Sequence, residues 1–168
     1  MKDNIILIGM PGSGKSTVGV LLAKLVGYDF LDCDLLIQKS EGKKLCEIIK
    51  DGGAEYFKEV ENKVNSNIKA SKTVIATGGS VVYGKEAMEH LKKMGKIIYL
   101  DVPLAELYRR VTNFNTRGIV MDEGQTLEDI YNERTPLYKK YADIVVKCDN
   151  DSLYDNAESI VNVIGEKD

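Results

Sequence analysis

The chain has 168 residues, of which 43% are hydrophobic and 29% are charged, and its formal net charge is −3. This size and composition predict one globular domain with a buried core, and the slight negative charge argues against a nucleic-acid-binding surface. The apolar runs are too short to span a bilayer and no secretory signal precedes them, so we expect a cytoplasmic protein that does not associate with membranes.

Apolar runs alternate with helix-like patterns along the whole chain. In chain order, the patterns predict a strand at 4–8, a helix at 15–26, a strand at 29–33, two helical stretches within 35–70 broken by glycines, a strand at 73–76, a helix at 86–94, a strand at 96–100, a helix at 103–111, a polar and mobile segment at 112–125, a helix at 126–141 with a local break at Pro136, a strand at 143–146 and a closing helix at 152–165.

Repeated alternation of strand and helix is typical of a parallel sheet that is covered by helices on both faces. The sequence therefore predicts a single three-layer α/β domain over residues 1–168. The periodicity does not give the order of the strands in the sheet.

Cysteine and histidine offer little for a metal site. Cys33, Cys46 and Cys148 lack the spacing of a zinc site, so we expect reduced thiols. His90 is the only histidine, and we expect it to be solvated on a helix between Glu89 and Lys92.

The stretch "GMPGSGKST", residues 9–17, follows the first strand and has the spacing G-x-x-x-x-G-K-S. Glycines let successive backbone N–H groups point at phosphate oxygens, and the following helix adds its dipole. Lys15 would reach the β- and γ-phosphates, and the Ser16 hydroxyl would bind Mg²⁺. A chance glycine turn is the alternative, but the flanking strand and helix favour a nucleoside triphosphate on the loop residues Gly12, Ser13, Gly14, Lys15, Ser16 and Thr17.

The stretch "FLDCD" ends the second predicted strand. Side chains two apart on a strand point the same way, so Asp32 and Asp34 would present paired carboxylates near the triphosphate. One could serve Mg²⁺ through water, and the other could accept a proton from a substrate hydroxyl. The alternatives are two solvated loop acids, or an Asp34 that caps the following helix.

Three further features favour a ligand site. Gly78 and Gly79 follow the third strand, where the backbone can approach a ligand closely. Arg117 lies in the polar segment "NTRGIV", and Arg134 lies in "NERTPLY". Each arginine alone is also compatible with an ordinary surface charge.

The stretches "GMPGSGKST", "DCD", "FKEVE", "ATGGS", "YLDVP", "YRRV", "NTRG" and "ERTPLY" occur in the order and approximate spacing of the shikimate kinases. The chain resembles this family from about residue 4 to residue 164. The resemblance implies the nucleoside-monophosphate-kinase fold, with strand order 2-3-1-4-5, a mobile lid at about 112–125 and an acceptor-binding helical region at about 34–61. It implies ATP- and Mg²⁺-dependent phosphorylation of the 3-hydroxyl of shikimate, a small hydroxy acid. We expect the protein to be a monomer.

The resemblance also implies roles for individual residues. Asp34 would hold the substrate hydroxyls and act as the base, and Asp32 would organise Mg²⁺. Arg134 would bind the substrate carboxylate. The remaining implied contacts are the Gly78 and Gly79 backbone with the substrate, Arg117 closing over the phosphates from the lid, and Arg110 against the adenine.

The sequence departs from the family pattern mainly on the acceptor side. Lys58 stands where the family has an arginine that binds the shikimate carboxylate, so the charge is kept and the planar fork is lost. Ser80 stands where the family usually has a third glycine. The residues at 118–120 and at 53–54 also differ from the usual pattern.

Two other functions stay open from the sequence. Lys58 and Ser80 favour a related kinase that acts on another hydroxy acid or polyol. Asp101 ends the run "KIIYL" as an acid ends a Walker B strand, which would suit a nucleotide-dependent switch. We prefer to interpret Asp101 as a helix cap ahead of Pro103.

Overall fold

The computed structural model describes residues 2–111, 118–149 and 152–165. The five strands in these ranges are β1 (Asn4–Ile8), β2 (Asp29–Asp32), β3 (Thr73–Ala76), β4 (Gly95–Asp101) and β5 (Ile144–Lys147). They form one parallel sheet with the order β2-β3-β1-β4-β5. Both the parallel sheet expected from the alternating pattern and the strand order implied by the resemblance are confirmed.

Helices cover the sheet. They are α1 (Lys15–Val26), α2 (Cys33–Glu41), α3 (Leu45–Ser66), α4 (Lys85–Met94), α5 (Leu104–Arg110), α6 (Leu127–Tyr141) and α7 (Leu153–Gly165), with a 3₁₀ helix at Val81–Tyr83 between β3 and α4. Helix α3 is bent at Gly53, whose φ of 81° lies outside the helical region. The predicted interruption of the helical pattern by glycines is therefore confirmed, because Gly42 ends α2 and Gly53 breaks the helical backbone within α3.

Two predicted details of these elements are wrong. Strand β2 ends at Asp32, because the Asp32 side chain caps α2 by accepting a hydrogen bond from Asp34 N at 3.0 Å. Helix α6 continues through Pro136, which was expected to break it. Proline removes one backbone hydrogen bond, but Ile130 and Tyr138 are buried on either side of it and hold the helix against the core.

The core is divided into two apolar clusters. The larger one surrounds β1, whose five residues are all buried, and explains why this strand reads as a continuous apolar run. The smaller cluster joins α2 and α3 to Val120, and its buried members are Ile37, Leu45, Ile48, Phe57, Val60 and Val120. This smaller cluster holds the helical region at 34–61 against one end of the sheet.

The single histidine is not solvated as expected. His90 is half-buried, and its Nε2 lies 2.7 Å from the carbonyl oxygen of Ile68, because α4 packs beside α3. Cys33 and Cys148 are buried thiols, and Cys46 is a partly exposed one. Within the described ranges, every helix is too short or too polar to span a bilayer.

Candidate active site

The loop between β1 and α1 is shaped to receive an anion. Gly12 and Gly14 have positive φ angles of 81° and 91°, which a residue with a side chain rarely adopts. Gly14 is the N-cap of α1 and has no side-chain cap, so the first N–H groups of this helix are available to phosphate oxygens. The buried Ser13 donates its backbone N–H to Met10 O at 3.1 Å and so closes the loop.

Lys15 is held against the same loop. Its Nζ donates to Gly9 O and Met10 O, both at 2.8 Å, and to Ser13 Oγ at 3.3 Å. Burial lowers the pKa of Lys15 to about 8, although the nearby Asp34 carboxylate opposes this. A phosphate would bring negative charge to this buried ammonium, so the ligand would favour the charged form of Lys15.

Ser16 and Asp32, the two residues predicted to bind Mg²⁺, contact each other. Ser16 Oγ donates to Asp32 Oδ2 at 2.7 Å. Within the described residues, no group of three or more His, Cys, Asp or Glu side chains is arranged to hold a metal ion by itself. This donor set suits Mg²⁺, which takes most of its ligands from phosphates and water when it binds a nucleotide.

Asp34 faces the cavity from the first turn of α2 and not from the strand. The expected strand alternation of Asp32 and Asp34 is therefore wrong, and it is Asp32 that caps the helix. Burial raises the pKa of Asp34 to about 6, and repulsion from Asp32 adds to the rise while Lys15 opposes it. A carboxylate with a pKa in this range can accept a proton near neutral pH.

Glu61 of α3, the last residue of the stretch "FKEVE", is a second buried carboxylate in the site, and no role was predicted for it. Its Oε1 accepts a hydrogen bond from Ser80 Oγ at 2.5 Å, whereas its Oε2 has no partner among the described residues. Burial raises the pKa of Glu61 to about 7. A Cβ at Gly78 would lie 2.5 Å from Glu61 Oε2 and 3.1 Å from Asp34 Oδ1, so only glycine lets both carboxylates approach this turn.

Arg134 of α6 lines the same cavity as these carboxylates and is only 2% exposed. Its NH2 donates to Val120 O, and its Nε donates to Tyr83 Oη at 3.4 Å. A Cβ at Gly79 would lie 3.2 Å from Arg134 NH1, which places this nitrogen beside the glycine turn. Tyr138, also from the "ERTPLY" stretch, donates to Gly79 O at 2.5 Å and fixes the same turn.

Arg110 lies beside the phosphate loop. Its Nε donates to Glu106 Oε1 at 2.6 Å, and its NH1 donates to Ser13 O at 3.5 Å. Hydrogen bonds from Arg109 and Arg110 lower the pKa of Glu106 to about 2. The guanidinium is therefore held above the phosphate loop by an ionised carboxylate.

These side chains surround one cavity of about 570 Å³. Among its lining residues are ten of the predicted site residues, namely Gly12, Gly14, Lys15, Ser16, Thr17, Asp34, Gly78, Gly79, Arg110 and Arg134. The cavity thus runs from the phosphate loop to the acceptor-side carboxylates and Arg134. A nucleotide at one end and a small acid at the other would meet near Lys15 and Asp34.

Three predicted side chains lie outside this lining, and one falls outside the described residues. Ser13 closes the phosphate loop through its hydrogen bond to Met10 O, and Asp32 accepts hydrogen bonds from Ser16 Oγ and Asp34 N. Lys58 Nζ is directed towards Glu55 Oε1, at 3.2 Å, and towards the ring of Tyr83, 4.5 Å from its centroid. Arg117 lies outside the described residues, so its place in a lid stays a prediction.

The predicted lid at 112–125 is described only from Gly118 onward. Val120 is 4% exposed and packs in the smaller apolar cluster, so this part of the segment is attached to the acceptor-side helices. A Cβ at Gly118 would lie 2.5 Å from Leu45 Cβ, which shows how closely the chain approaches α3 here. Gly118 and Val120, which depart from the family pattern, therefore fit this contact, whereas Ile119 packs against the larger apolar cluster.

The cap interpretation of Asp101 is wrong. Helix α5 has Pro103 as its N-cap and has no side-chain cap, and Asp101 Oδ1 instead accepts a hydrogen bond from Tyr99 Oη at 3.2 Å. Asp101 does not line the cavity. The structure therefore offers no support at Asp101 for a nucleotide-dependent switch.

The comparisons agree with this geometry. The chain is 39% identical over 167 residues to a shikimate kinase of Clostridium botulinum (strain 657 / Type Ba4), which covers 96% of this chain and 94% of the relative. It is 35% identical over 162 residues to the shikimate kinase of Persephonella marina, covering 96% and 98% of the two chains. The solved structure of a shikimate kinase from Acinetobacter baumannii in complex with shikimate matches with a TM-score of 0.91 at 31% identity, covering 98% of this chain and 94% of that one.

The family model for shikimate kinase matches residues 11–165. This range includes the phosphate loop from Pro11 onward, both carboxylates that face the turn at Gly78, and Arg134. The chain belongs to the shikimate kinase family.

Proposed function

We propose that the protein transfers the γ-phosphoryl group of ATP to the 3-hydroxyl of shikimate and so produces shikimate 3-phosphate. The observation that carries this proposal is the single cavity that joins a phosphate loop to a buried carboxylate, Asp34, and a buried guanidinium, Arg134. A small hydroxy acid matches this pair, because its hydroxyls suit the carboxylate and its own carboxylate suits the guanidinium.

The donor end would hold the triphosphate through the backbone N–H groups of Gly12 and Gly14 and through Lys15. Lys15 would leave the loop carbonyls for the phosphate oxygens, which carry the negative charge that grows during transfer. Ser16 and Asp32 would hold Mg²⁺, which neutralises phosphate charge when it is bound. Arg110 would lie over the nucleotide end of the cavity, next to Ser13.

The acceptor end would orient the hydroxyl that is phosphorylated. Asp34 would accept the proton of that hydroxyl, in keeping with its pKa of about 6. Glu61, with one oxygen engaged by Ser80 and the other facing Gly78, adds a second carboxyl group beside it. Arg134 would bind the substrate carboxylate at the far wall, next to the turn at Gly79.

A reducing compartment such as the cytoplasm forms part of the proposal. It is supported by the three cysteines, each of which is a thiol in this structure.

The experiment is a coupled assay of ADP release with purified protein, MgATP and a panel of acids that includes shikimate, quinate and gluconate. We expect shikimate to raise ADP release well above the rate of ATP hydrolysis without an acceptor, and to do so more than the other acids. If another acid raises ADP release and shikimate does not, the assignment of shikimate as the acceptor is wrong. The assignment of the protein as a kinase would then still hold.

A further inference from the structure

Tyr83 is the last residue of the 3₁₀ helix that follows the Gly78–Ser80 turn. Two cations contact its ring: Lys58 Nζ lies 4.5 Å and Arg134 Cζ lies 5.4 Å from the ring centroid. Both distances fall within the range of a cation–π interaction. The ring therefore connects the lysine that departs from the family pattern with the arginine that lines the cavity.

The hydroxyl of Tyr83 also forms hydrogen bonds with charged residues. It accepts a hydrogen bond from Arg134 Nε at 3.4 Å and donates one to Glu133 Oε1. The other oxygen of Glu133 accepts from Gln125 Nε2 at 3.3 Å. Arg134 is thus fixed on two sides, through Tyr83 and through Val120 O, which leaves its NH1 side next to Gly79.

Ordinary core packing does not explain this tyrosine. Its two neighbours, Val81 and Val82, are buried in the larger apolar cluster, whereas Tyr83 belongs to neither apolar cluster and is half-buried. The ring and its hydroxyl instead contact charged groups. A leucine could replace it without opening the apolar core.

We propose that Tyr83 is a positioning residue for the acceptor: it fixes Arg134 at the cavity wall and keeps Lys58, which lies outside the cavity lining, beside it, so that the substrate carboxylate binds Arg134 next to a second positive charge. The proposal rests on the proposed function, since it assumes an acidic acceptor beside Arg134. Lys58 has a flexible side chain and a partner, Glu55, that is 83% exposed, so the ring of Tyr83 is the group that can give its ammonium a defined position.

The test compares Tyr83→Leu, Tyr83→Phe and the wild type by steady-state kinetics with shikimate and MgATP. We expect Tyr83→Leu, which loses ring and hydroxyl, to raise the KM for shikimate roughly three- to ten-fold. Tyr83→Phe keeps the ring and should raise it less, by about two- to three-fold. The KM for ATP and kcat should stay within about two-fold of the wild type, because the donor end is unchanged.

Tyr141→Leu is the matched control. Tyr141 is also partly buried and has a lysine over its ring, with Lys140 Nζ at 5.5 Å from the centroid, but Lys140 does not line the cavity, whereas Arg134 over the Tyr83 ring does. A rise in the shikimate KM that is no larger in Tyr83→Leu than in Tyr141→Leu would overturn the proposal.

The same measurements distinguish a failure of the proposed function from a failure of the role of Tyr83. A wild-type protein without shikimate-dependent ADP release would refute the proposed function itself. If Tyr83→Leu does not fold, as judged by thermal melting, titration calorimetry of shikimate with Tyr83→Phe decides. Weaker shikimate binding with unchanged ATP binding supports the role of Tyr83, and unchanged shikimate binding overturns it.

Discussion

Ser80 and Glu61 form a buried hydrogen bond, in which Ser80 Oγ donates to Glu61 Oε1 at 2.5 Å. This contact gives a physical reason for one departure from the family pattern, because a glycine at 80 could not donate it. The hydrogen bond lowers the pKa of Glu61, whereas burial raises it and is the larger effect. Ser80 therefore stabilises the ionised form of a carboxylate that the protein interior disfavours.

Removal of this donor should destabilise the protein most where Glu61 is ionised. We expect Ser80→Ala to lower the free energy of unfolding by about 1–2 kcal/mol at pH 8.5 and by clearly less at pH 5.5. Urea denaturation at the two pH values measures the difference. Ser66→Ala removes a hydroxyl that donates to Asn62 O at 2.6 Å outside the cavity, and its effect should not depend on pH. Equal losses at both pH values in Ser80→Ala would contradict the prediction.

The stability of the protein without ligands should pass through a minimum near pH 7–8. The pKa of Glu61 is raised to about 7 in the folded state, so the folded state binds more protons than the unfolded chain between about pH 4.5 and 7, and stability falls as the pH rises through this window. Asp34, with its pKa of about 6, acts in the same direction between about pH 4 and 6. The pKa of Lys15 is lowered to about 8, so stability should recover from about pH 8 to 10.5.

Urea denaturation from pH 5 to pH 10 in steps of half a unit would show this minimum. We expect the fall on its acidic side to be of the order of 1–3 kcal/mol. Glu61→Gln has no proton to lose and should flatten the fall above pH 6. A wild-type stability that rises steadily from pH 5 to pH 8 would mean that these carboxylates are ionised in the folded protein throughout.

Much of the donor end could be predicted from local sequence, and much of the acceptor end could not. The phosphate loop is a contiguous motif between an apolar strand and a helix, so its fold and its residues follow from spacing. Asp32 and Asp34 were both identified, but by the wrong geometry, because a side-chain cap ends β2 one residue early. Glu61 ends the stretch "FKEVE", but its role could not be predicted from that stretch alone, because its contact with Gly78 depends on how α3 packs against the end of β3.

Removal of the charge of Asp34 and removal of the charge of Asp32 should impair different steps of the reaction. Asp34→Asn should leave MgATP affinity within about two-fold and reduce phosphorylation at least 100-fold, because it removes the proton acceptor. Asp32→Asn keeps a side chain that caps helices well, so its fold should survive, and it should weaken MgATP binding through the lost charge beside Ser16.

Nucleotide titrations with each variant, followed by single-turnover transfer, separate these effects. In the wild type, kcat/KM for the acceptor should fall as the pH drops through about 6, the pKa of Asp34. Loss of MgATP binding in Asp34→Asn together with normal binding in Asp32→Asn would reverse the two roles.

Arg117 is predicted to act on the phosphates from the lid. Arg117→Ala should reduce kcat by at least ten-fold and change the Kd for ATP far less, because the side chain would enter the site only on closure. Single-turnover rates and ATP titrations with the variant provide the measurement. A variant with unchanged kcat would remove Arg117 from the mechanism.

Lys58 offers the sharpest test of the acceptor. Its ammonium lies 3.2 Å from Glu55 Oε1 and 4.5 Å from the centroid of the Tyr83 ring, and it does not line the cavity. In Lys58→Arg, a planar guanidinium could stack on the same ring and still present two donors to the substrate carboxylate beside Arg134. A gain of about 1 kcal/mol would lower the KM for shikimate roughly five-fold and leave the KM for ATP unchanged.

Lys63→Arg is the matched control for this gain, since it makes the same substitution at an exposed position of the same helix. It should change neither KM. If the natural acceptor is another hydroxy acid, Lys58 is matched to that molecule, and Lys58→Arg should lose activity towards it while gaining none with shikimate. The wild type, Lys58→Arg and Lys63→Arg should therefore be compared on shikimate, quinate and gluconate. The comparison distinguishes an acceptor site in which arginine at position 58 binds the substrate better from one in which lysine does.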